Sequence, residues 1–292
     1  MILRKTVVVL GSTGMLGHQV VKYLEGFSDF IVHDISYRTK LRESTIVIDA
    51  MSSISLELAI ANINPDFIVN CIGVLVKGSE DIARAIFLNA YLPYQLQAIA
   101  KITNSKLIHI STDCVFSGAK GQYVESDFRD GQGTYSQTKI LGEIIDDTNL
   151  TIRTSIIGPE LKSYGEGLFN WFMTQTADRV SGYTASIWSG VTTLELAKAI
   201  KWAIESQVVG LYHVTNNNSI NKCEILQLFQ VYTKKNVYID PVLGKKVDKS
   251  FIDTRLLMDY SVPSYQKMIF EMVRGINQNK SLYSQYKVEF LD

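Results

Sequence analysis

The stretch that decides the fold is Thr6-Val-Val-Val-Leu10, followed directly by Gly11-Ser-Thr-Gly-Met-Leu-Gly17. The short β-branched apolar run predicts a buried strand, and the apolar spacing that continues through His18–Leu24 predicts a helix. A glycine turn between a strand and a helix lets backbone approach a pyrophosphate, which the helix N-terminus receives. A tight turn without a ligand is the simpler alternative. We predict a dinucleotide site with cofactor contacts from Gly11, Thr13, Gly14, Met15, Leu16 and Gly17.

Apolar strands and helical patterns alternate through the first half of the chain. Strands are expected at Thr6–Leu10, Phe30–Asp34, Thr45–Asp49, Phe67–Cys71, Leu107–Ser111 and Thr151–Thr154. Helices are expected at Met15–Glu25, Ser55–Asn62, Asp81–Lys101 and Tyr135–Asp146. Such alternation predicts an α/β fold with a Rossmann-type, doubly wound parallel sheet that is covered on both faces.

A second candidate site is the pair Tyr135 and Lys139. A spacing of four residues places both side chains on one helix face, with their Cβ atoms about 5–6 Å apart. A nearby ammonium favours the phenolate and lowers the tyrosine pKa from its usual value of about 10. Such a tyrosine can exchange a proton with a carbonyl or alcohol oxygen. Two unrelated residues on a solvated helix face are the alternative.

A third segment, Leu107–Gly118, contains an apolar strand that ends in Ser111, Thr112 and Asp113. Ligands of doubly wound sheets bind at the carboxyl ends of the strands. A hydroxyl at this position, upstream of the Tyr135 helix, can donate a hydrogen bond to a substrate oxygen. Simple capping of the strand end is the alternative.

The three segments together resemble the extended short-chain dehydrogenase/reductase superfamily, which combines G-x-x-G-x-x-G with a later Tyr-x-x-x-Lys. Ser111–Gly118 is similar to the Ser-Thr-Asp-Tyr-Val-Phe-x-Gly block of the dTDP-4-dehydrorhamnose reductase branch, and Arg153–Gly158 is similar to its Arg-Thr-Ser-Trp-Val-Tyr-Gly block. Cys114 and Ser136 stand where that branch has Tyr and Gly, and the Arg-Thr-Ser block is one residue shorter.

This resemblance implies reduction of a nucleotide-linked 4-keto-6-deoxy sugar by a nicotinamide cofactor. Tyr135 would protonate the oxygen, Lys139 would lower the Tyr135 pKa and hold the nicotinamide ribose, and Thr112 would orient the substrate. Asp113 and Arg153 are further candidates for substrate binding, with fixing the loop and bracing the strand as their alternatives. The resemblance also implies a dinucleotide-binding domain at 1–158, to which 192–215 returns, and a smaller C-terminal α/β substrate lobe at 159–292.

The sequence gives conflicting signals for the cofactor. Asp34 follows Gly17 by 17 residues, where an acidic residue bonds the ribose hydroxyls of NAD. Arg38 can instead receive a 2′-phosphate, and Tyr37 beside it offers a stacking surface. We favour NADPH and keep NADH as the alternative. Asp49 is expected to reach the adenine amine, with a turn at the strand end as the alternative.

Composition excludes several other classes of protein. The 292 residues carry 29 Lys plus Arg against 29 Asp plus Glu, so no basic footprint for nucleic acid or for an acidic membrane is present. The three cysteines show neither zinc spacing nor a disulfide framework, and no metal site is expected. His109 is expected to be a hydrogen-bonded core residue. A cytoplasmic protein without a membrane span fits best, and a homodimer stays open.

Two alternatives stay open: another reaction of nucleotide sugars that uses the same residues, and a non-catalytic role. A sugar-nucleotide epimerase keeps its nicotinamide bound and regenerates it, whereas a dehydratase adds Asp-Glu after the strand-end Thr. Asp113-Cys114 at that position argues against dehydration. A non-catalytic regulatory subunit, like the β subunit of methionine adenosyltransferase, is the second alternative.

Overall fold

The computed structural model describes residues 4–255 and 259–286. The helices in these ranges are α1 Gly17–Glu25, α2 Ser53–Ile63, α3 Ile82–Ala85, α4 Leu92–Ile102, α5 Gly133–Leu141, α6 Leu168–Thr174, α7 Thr193–Ser206, α8 Lys222–Thr233 and α9 Tyr265–Gln278. The strands are β1 Lys5–Leu10, β2 Phe30–Ser36, β3 Ile46–Val47, β4 Phe67–Asn70, β5 Lys106–Thr112, β6 Leu150–Thr154, β7 Ile156–Ile157, β8 Arg179–Tyr183, β9 Ser186–Trp188, β10 Val191–Thr192, β11 Gly210–His213, β12 Ile220–Asn221, β13 Tyr238–Val242 and β14 Val247–Asp248.

A seven-stranded sheet in the order β11-β6-β5-β4-β1-β2-β3 forms the centre of the fold. The pairs from β3 through β5 are parallel, and their register places Leu10 beside Asn70 and Asn70 beside His109. The order reverses between β1 and β4, which is the topological switch point where such sheets bind ligands. The Rossmann-type prediction is confirmed.

Contacts divide the chain into two compact units. Among the described residues, the first unit contains 4–116, Phe128–Arg153 and Ala197–Tyr212. The second contains Ser117–Asp127, Thr154–Leu196, 213–255 and 259–286. The substrate-binding role expected of a C-terminal lobe stays a prediction.

The first unit packs its apolar core between one sheet face and the helices that cover it. Val8, Ile68 and Leu107, which lie side by side on neighbouring strands, belong to one fully buried apolar cluster with Leu56 of α2 and Leu96 of α4. Because successive strand side chains point to opposite faces, this continuous burial requires helices on both sides of the sheet. In 4–255 and 259–286, no helix is both long enough and apolar enough to cross a membrane.

The second unit has smaller sheets and an aromatic core. Its sheets are the pairs β7–β10 and β8–β13 and the three strands β12-β9-β14. Phe169 and Phe229 meet edge to face with ring centroids 5.0 Å apart, and Phe172 lies 5.7 Å from Phe229. This edge-to-face geometry is favourable for aromatic rings, so α6 and α8 are held together by it.

The helix predicted at 81–101 is interrupted. A π-helical turn at Ile86–Tyr91 separates α3 from α4. Within it the buried Asn89 side chain accepts a hydrogen bond from the Val74 amide (2.8 Å) and donates to the Val74 carbonyl (3.0 Å) and to Thr138 Oγ1 (3.2 Å). The spacing of apolar residues does not show the extra residue that a π-helical turn contains. Turns of this kind recur at functional sites.

Gly142 ends α5 directly against this turn. A Cβ added to Gly142 would overlap the carbonyl oxygen of Asn89 and lie within 3.3 Å of Ala90 Cα. Both obstacles are backbone atoms, so neither can rotate away. Glycine at position 142 is therefore what lets α5 approach the π-turn.

We expect Gly142→Ala to destabilise the protein by about 2–3 kcal/mol, because the new methyl group forces α5 away from the π-turn. The matched control is Gly275→Ala in α9, where an added Cβ meets nothing within 4 Å. That substitution is expected to stabilise by about 0.5–1 kcal/mol. Urea unfolding followed by circular dichroism checks both, and equal midpoints for the two variants would contradict the packing described.

Candidate functional site

The glycine loop connects β1 to α1 at the carboxyl end of the sheet. Gly11 has φ +77°, a conformation that residues with a side chain rarely adopt. A Cβ at Gly17 would overlap the Gly11 carbonyl, and one at Gly14 would lie 3.2 Å from it. Gly14 is exposed whereas Leu16 is buried, so the loop offers backbone and not the Leu16 side chain to a ligand. The loop fits a pyrophosphate at the start of α1.

Asp34 lies within β2 and not at its end. Strand β2 continues past Asp34 to Ser36, and the fully buried Asp34 carboxylate accepts a hydrogen bond from Arg42 Nε at 2.7 Å. Arg42 also donates to the Val32 carbonyl at 2.6 Å. Asp34 Oδ1 is thus part of an ion pair inside the strand, while the buried Oδ2 has no hydrogen-bond partner among the described residues, and the contact of Asp34 with a cofactor ribose stays a prediction.

The residues that follow β2 form a cationic aromatic cluster. The Arg38 guanidinium lies 4.5 Å from the centre of the Tyr37 ring, and the Arg84 guanidinium of α3 lies 5.7 Å from it. The Nε atom of Arg84 is buried and has no partner among the described residues. Two cations around one aromatic ring suit a phosphate beside a planar base. Arg84 was not predicted, since its sequence position gives no sign of this neighbour.

Asp49 is exposed and lies in a turn. Strand β3 ends at Val47, and Asp49 Oδ1 accepts a hydrogen bond from the Met51 amide at 2.9 Å just before α2. This is the turn that the sequence left as the alternative, and the adenine contact stays a prediction.

Thr112 and Tyr135 meet at the end of β5. The Thr112 hydroxyl donates to Asp113 Oδ1 (3.0 Å) and accepts from the Cys114 amide (3.2 Å), and it lies close enough to the Tyr135 phenol to lower the pKa of Tyr135. Tyr135 is partly buried in the first turn of α5. The structure therefore brings the predicted Thr112, Asp113 and Tyr135 together at a carboxyl strand end.

The expected lowering of the Tyr135 pKa is wrong in its net direction. Burial raises the pKa of Tyr135, Cys114 adds to this, the hydrogen bond with Thr112 lowers it, and the Asp113 charge raises it again. Spacing along a helix reveals the lysine but not the loss of solvent or the neighbouring carboxylate. Tyr135 is consequently held in its protonated form.

Lys139 is 4% exposed, and its Nζ donates to the Ile110 carbonyl of β5 at 2.8 Å. Burial lowers the pKa of Lys139 to about 8, and the charge of Glu143 opposes that shift. Lys139 is thus a buried cation whose charge is sensitive to pH in the physiological range.

Glu143 collects hydrogen bonds from three parts of the chain. Arg153 of β6 binds both carboxylate oxygens, each at 2.8 Å, while Ser111 donates at 2.6 Å and Arg129 at 2.9 Å. Burial alone would raise the pKa of Glu143, but Arg153, Ser111 and Arg129 lower it overall. Arg153 is 1% exposed, so the geometry supports the bracing alternative for Arg153 and not substrate binding.

A row of polar side chains lies on the sheet beneath α5. Asn70 Nδ2 and His109 Nδ1 are 3.1 Å apart, and Ser111 and Arg153 continue the row. Burial lowers the pKa of His109 well below its usual value, and the Lys139 charge acts in the same direction. His109 is a core residue as predicted, but its Nε2 has no partner among the described residues.

Sequence reasoning did not identify Arg129 or Glu143 as part of the site. One signal was available, because Tyr135, Lys139 and Glu143 succeed one another every four residues and so follow one helix face. The described ranges contain no group of His, Cys, Asp and Glu arranged to hold a metal ion.

Known proteins are similar to this chain over most of its length. The chain is 25% identical over 229 residues to dTDP-4-keto-6-deoxy-D-glucose reductase of Streptomyces niveus, covering 71% of this chain and 72% of that protein. It is 22% identical over 268 residues to methionine adenosyltransferase 2 subunit beta of Rattus norvegicus, covering 84% and 79%.

Solved structures share the fold at low sequence identity. dTDP-4-dehydrorhamnose reductase from Bacillus anthracis, solved in complex with NADP, superposes with a TM-score of 0.81 at 20% identity, covering 93% of this chain and 99% of that one. ADP-L-glycero-D-manno-heptose-6-epimerase from Helicobacter pylori gives 0.80 at 14% identity, covering 94% and 97%. The family model described as RmlD substrate binding domain matches residues 5–247, and the chain belongs to that family.

Proposed function

We propose that this protein reduces the keto group of a nucleotide-linked 4-keto-6-deoxy sugar, with NADPH as the reductant. The observation that carries the proposal is the placement of the Tyr135 phenol beside the Thr112 hydroxyl at the carboxyl end of β5. The glycine loop after β1 and membership of the family support it. The nucleotide sugar is inferred from related proteins such as the Streptomyces niveus reductase.

Tyr135 acts as the general acid. A bound nicotinamide supplies the hydride for the carbonyl carbon, and the oxygen needs a proton as its negative charge develops. Burial, the first cause of the raised Tyr135 pKa, keeps the phenol protonated and ready to donate. Positioned proton transfer of this kind contributes about 10²–10⁴-fold to rate.

Thr112 and Lys139 stabilise the charge that develops. The Thr112 hydroxyl donates to Asp113 Oδ1 in the structure, and in the proposed reaction it turns that proton to the substrate oxygen and aligns it. The buried Lys139 ammonium, four residues after Tyr135, would offset the negative charge left on Tyr135 after the proton leaves, and it would hold the ribose of a bound nicotinamide. Asp113 stays a candidate for substrate binding because it lies in this hydrogen-bonded group.

The proposed cofactor contacts form two groups, the glycine loop after β1 and the cationic aromatic cluster after β2. The loop of Gly11, Thr13, Gly14, Met15, Leu16 and Gly17 receives the pyrophosphate through its backbone. The cluster of Tyr37, Arg38 and Arg84 receives the adenine and the 2′-phosphate. One oxygen of the Asp34 carboxylate, which would favour NADH, is paired with Arg42, and the two guanidinium groups beside Tyr37 are the main support for NADPH.

Net consumption of NADPH tests the reaction. With dTDP-4-keto-6-deoxymannose, we expect about one NADPH oxidised per sugar reduced, followed by absorbance and by mass spectrometry of the sugar. An altered sugar without net oxidation of NADPH would instead identify an epimerase. Tight NADPH binding with no turnover of any nucleotide sugar would favour a regulatory subunit. The similarity to the β subunit from Rattus norvegicus is the reason to consider this alternative.

Tyr135→Phe is expected to reduce kcat by at least about 100-fold while leaving NADPH affinity nearly unchanged, since only the proton donor is removed. The control is Tyr94→Phe, which removes a hydroxyl from a half-exposed tyrosine of α4. Steady-state kinetics and fluorescence titration separate turnover from binding. Unchanged turnover in Tyr135→Phe would refute the assigned acid.

Arg38→Gln is expected to raise the KM for NADPH by about 10–100-fold and to leave the KM for NADH unchanged, because it removes a charged hydrogen bond to the 2′-phosphate. Arg179→Gln is a matched control, since Arg179 is also exposed and lies 4.7 Å from the ring centre of Tyr238. Equal losses for NADPH and NADH would show that Arg38 does not read the 2′-phosphate.

A further inference from the structure

Glu143 lies one helical turn beyond Lys139, directly after the last residues of α5. Its side chain is fully buried, and its four hydrogen bonds come from Ser111 of β5, from Arg129 before α5 and, twice, from Arg153 of β6. A carboxylate held in this way stays ionised and immobile.

Lys139 depends on that carboxylate. Its ammonium is buried against the Ile110 carbonyl, which is uncharged, so burial acts strongly against the charged form. The charged and titratable groups that face Lys139 and Glu143 are His109 in β5, Arg153 in β6 and Arg129 in the preceding loop. His109 is neutral and both arginines are positive, so among these groups and Glu143 itself, Glu143 supplies the negative charge that favours the ammonium.

We propose that Glu143 is a positioning residue for the reduction. Its buried carboxylate binds Ser111, the neighbour in β5 of the Ile110 carbonyl that holds Lys139, and it ties the end of β5 to the segment that follows the catalytic helix and supplies negative charge to the surroundings of Lys139. The inference rests on the proposed reductase function. It assigns a role to a residue that need not touch substrate or cofactor.

The sign of the pH dependence follows from Lys139. Reduction needs the charged ammonium, so kcat/KM falls as pH rises through the Lys139 pKa, which is about 8. This fall is the alkaline limb of the pH profile. His109 does not contribute to it, because burial keeps His109 neutral throughout the range. Removing the charge of Glu143 lowers the Lys139 pKa further and moves the alkaline limb to lower pH.

For removal of Arg129 we predict a shift of the alkaline limb in the opposite direction. It is one third exposed and donates to Glu143 Oε2, so it neutralises part of the carboxylate charge that Lys139 experiences. Without Arg129 that charge acts more strongly on Lys139, and the alkaline limb moves to higher pH. A merely structural network would lower activity or stability in both variants without opposite shifts of the limb.

The experiment measures kcat/KM against pH for the wild type, Glu143→Gln and Arg129→Gln. Glu205→Gln serves as the control, since Glu205 is exposed and its ion pair with Lys201 lies on α7. We expect the alkaline limb of Glu143→Gln to move down by about one pH unit and that of Arg129→Gln to move up by less. Glu205→Gln is expected to match the wild type.

Several outcomes would overturn the inference. A Glu143→Gln limb at the wild-type position, whatever the loss of rate, would leave Glu143 a purely structural role. If Glu143→Gln does not fold, Arg129→Gln decides: a limb that is unmoved or moves to lower pH contradicts the inference.

The pH dependence of NADPH affinity, measured by fluorescence, provides a second readout because Lys139 is assigned to the nicotinamide ribose. We expect the same opposite displacements in binding. If the wild type binds NADPH with these displacements but reduces no sugar, the proposed function fails and the control of the Lys139 charge by Glu143 stands. Binding curves that coincide for all variants would overturn it.

Discussion

The buried ion pair between Glu143 and Arg153 is the interaction on which the site depends. It joins the end of α5 to β6, and the same carboxylate accepts from Ser111 of β5, so one group fixes a helix and two strands. Buried pairs often add little net stability compared with an apolar core, yet removing one partner costs about 3–5 kcal/mol. We therefore interpret this pair as a device that sets the position of α5 above the sheet.

Burial shifts the pKa values of Tyr135 and Lys139, the two central side chains of α5, in opposite directions. Loss of solvent raises the pKa of Tyr135 and lowers that of Lys139 to about 8, so the phenol keeps its proton while the ammonium becomes easy to neutralise. Groups whose surroundings push their pKa values apart are suited to separate acid and electrostatic roles. The π-turn and Gly142 complete the arrangement, because they allow α5 to lie close enough for this burial.

Local patterns in the sequence were sufficient for the fold and for part of the site. The strand and glycine loop at Thr6–Gly17 predicted the sheet, and the end of β5 with Tyr135 and Lys139 predicted residues that the structure brings together. The remaining features depend on tertiary partners. The predicted strand ends at Asp34, whereas β2 continues to Ser36 and Arg42 pairs with Asp34 inside it. The Tyr135 pKa likewise depends on burial that no spacing encodes.

A double-mutant cycle on Glu143 and Arg153 tests the central interaction most directly. The free energy of unfolding is measured for the wild type, Glu143→Gln, Arg153→Met and the double variant. Each single change leaves a buried charge poorly compensated, whereas the double variant removes both members of the pair. We predict an interaction free energy of at least about 2 kcal/mol. Losses that simply add, with an interaction near zero, would contradict the claim that this pair holds α5 on the sheet.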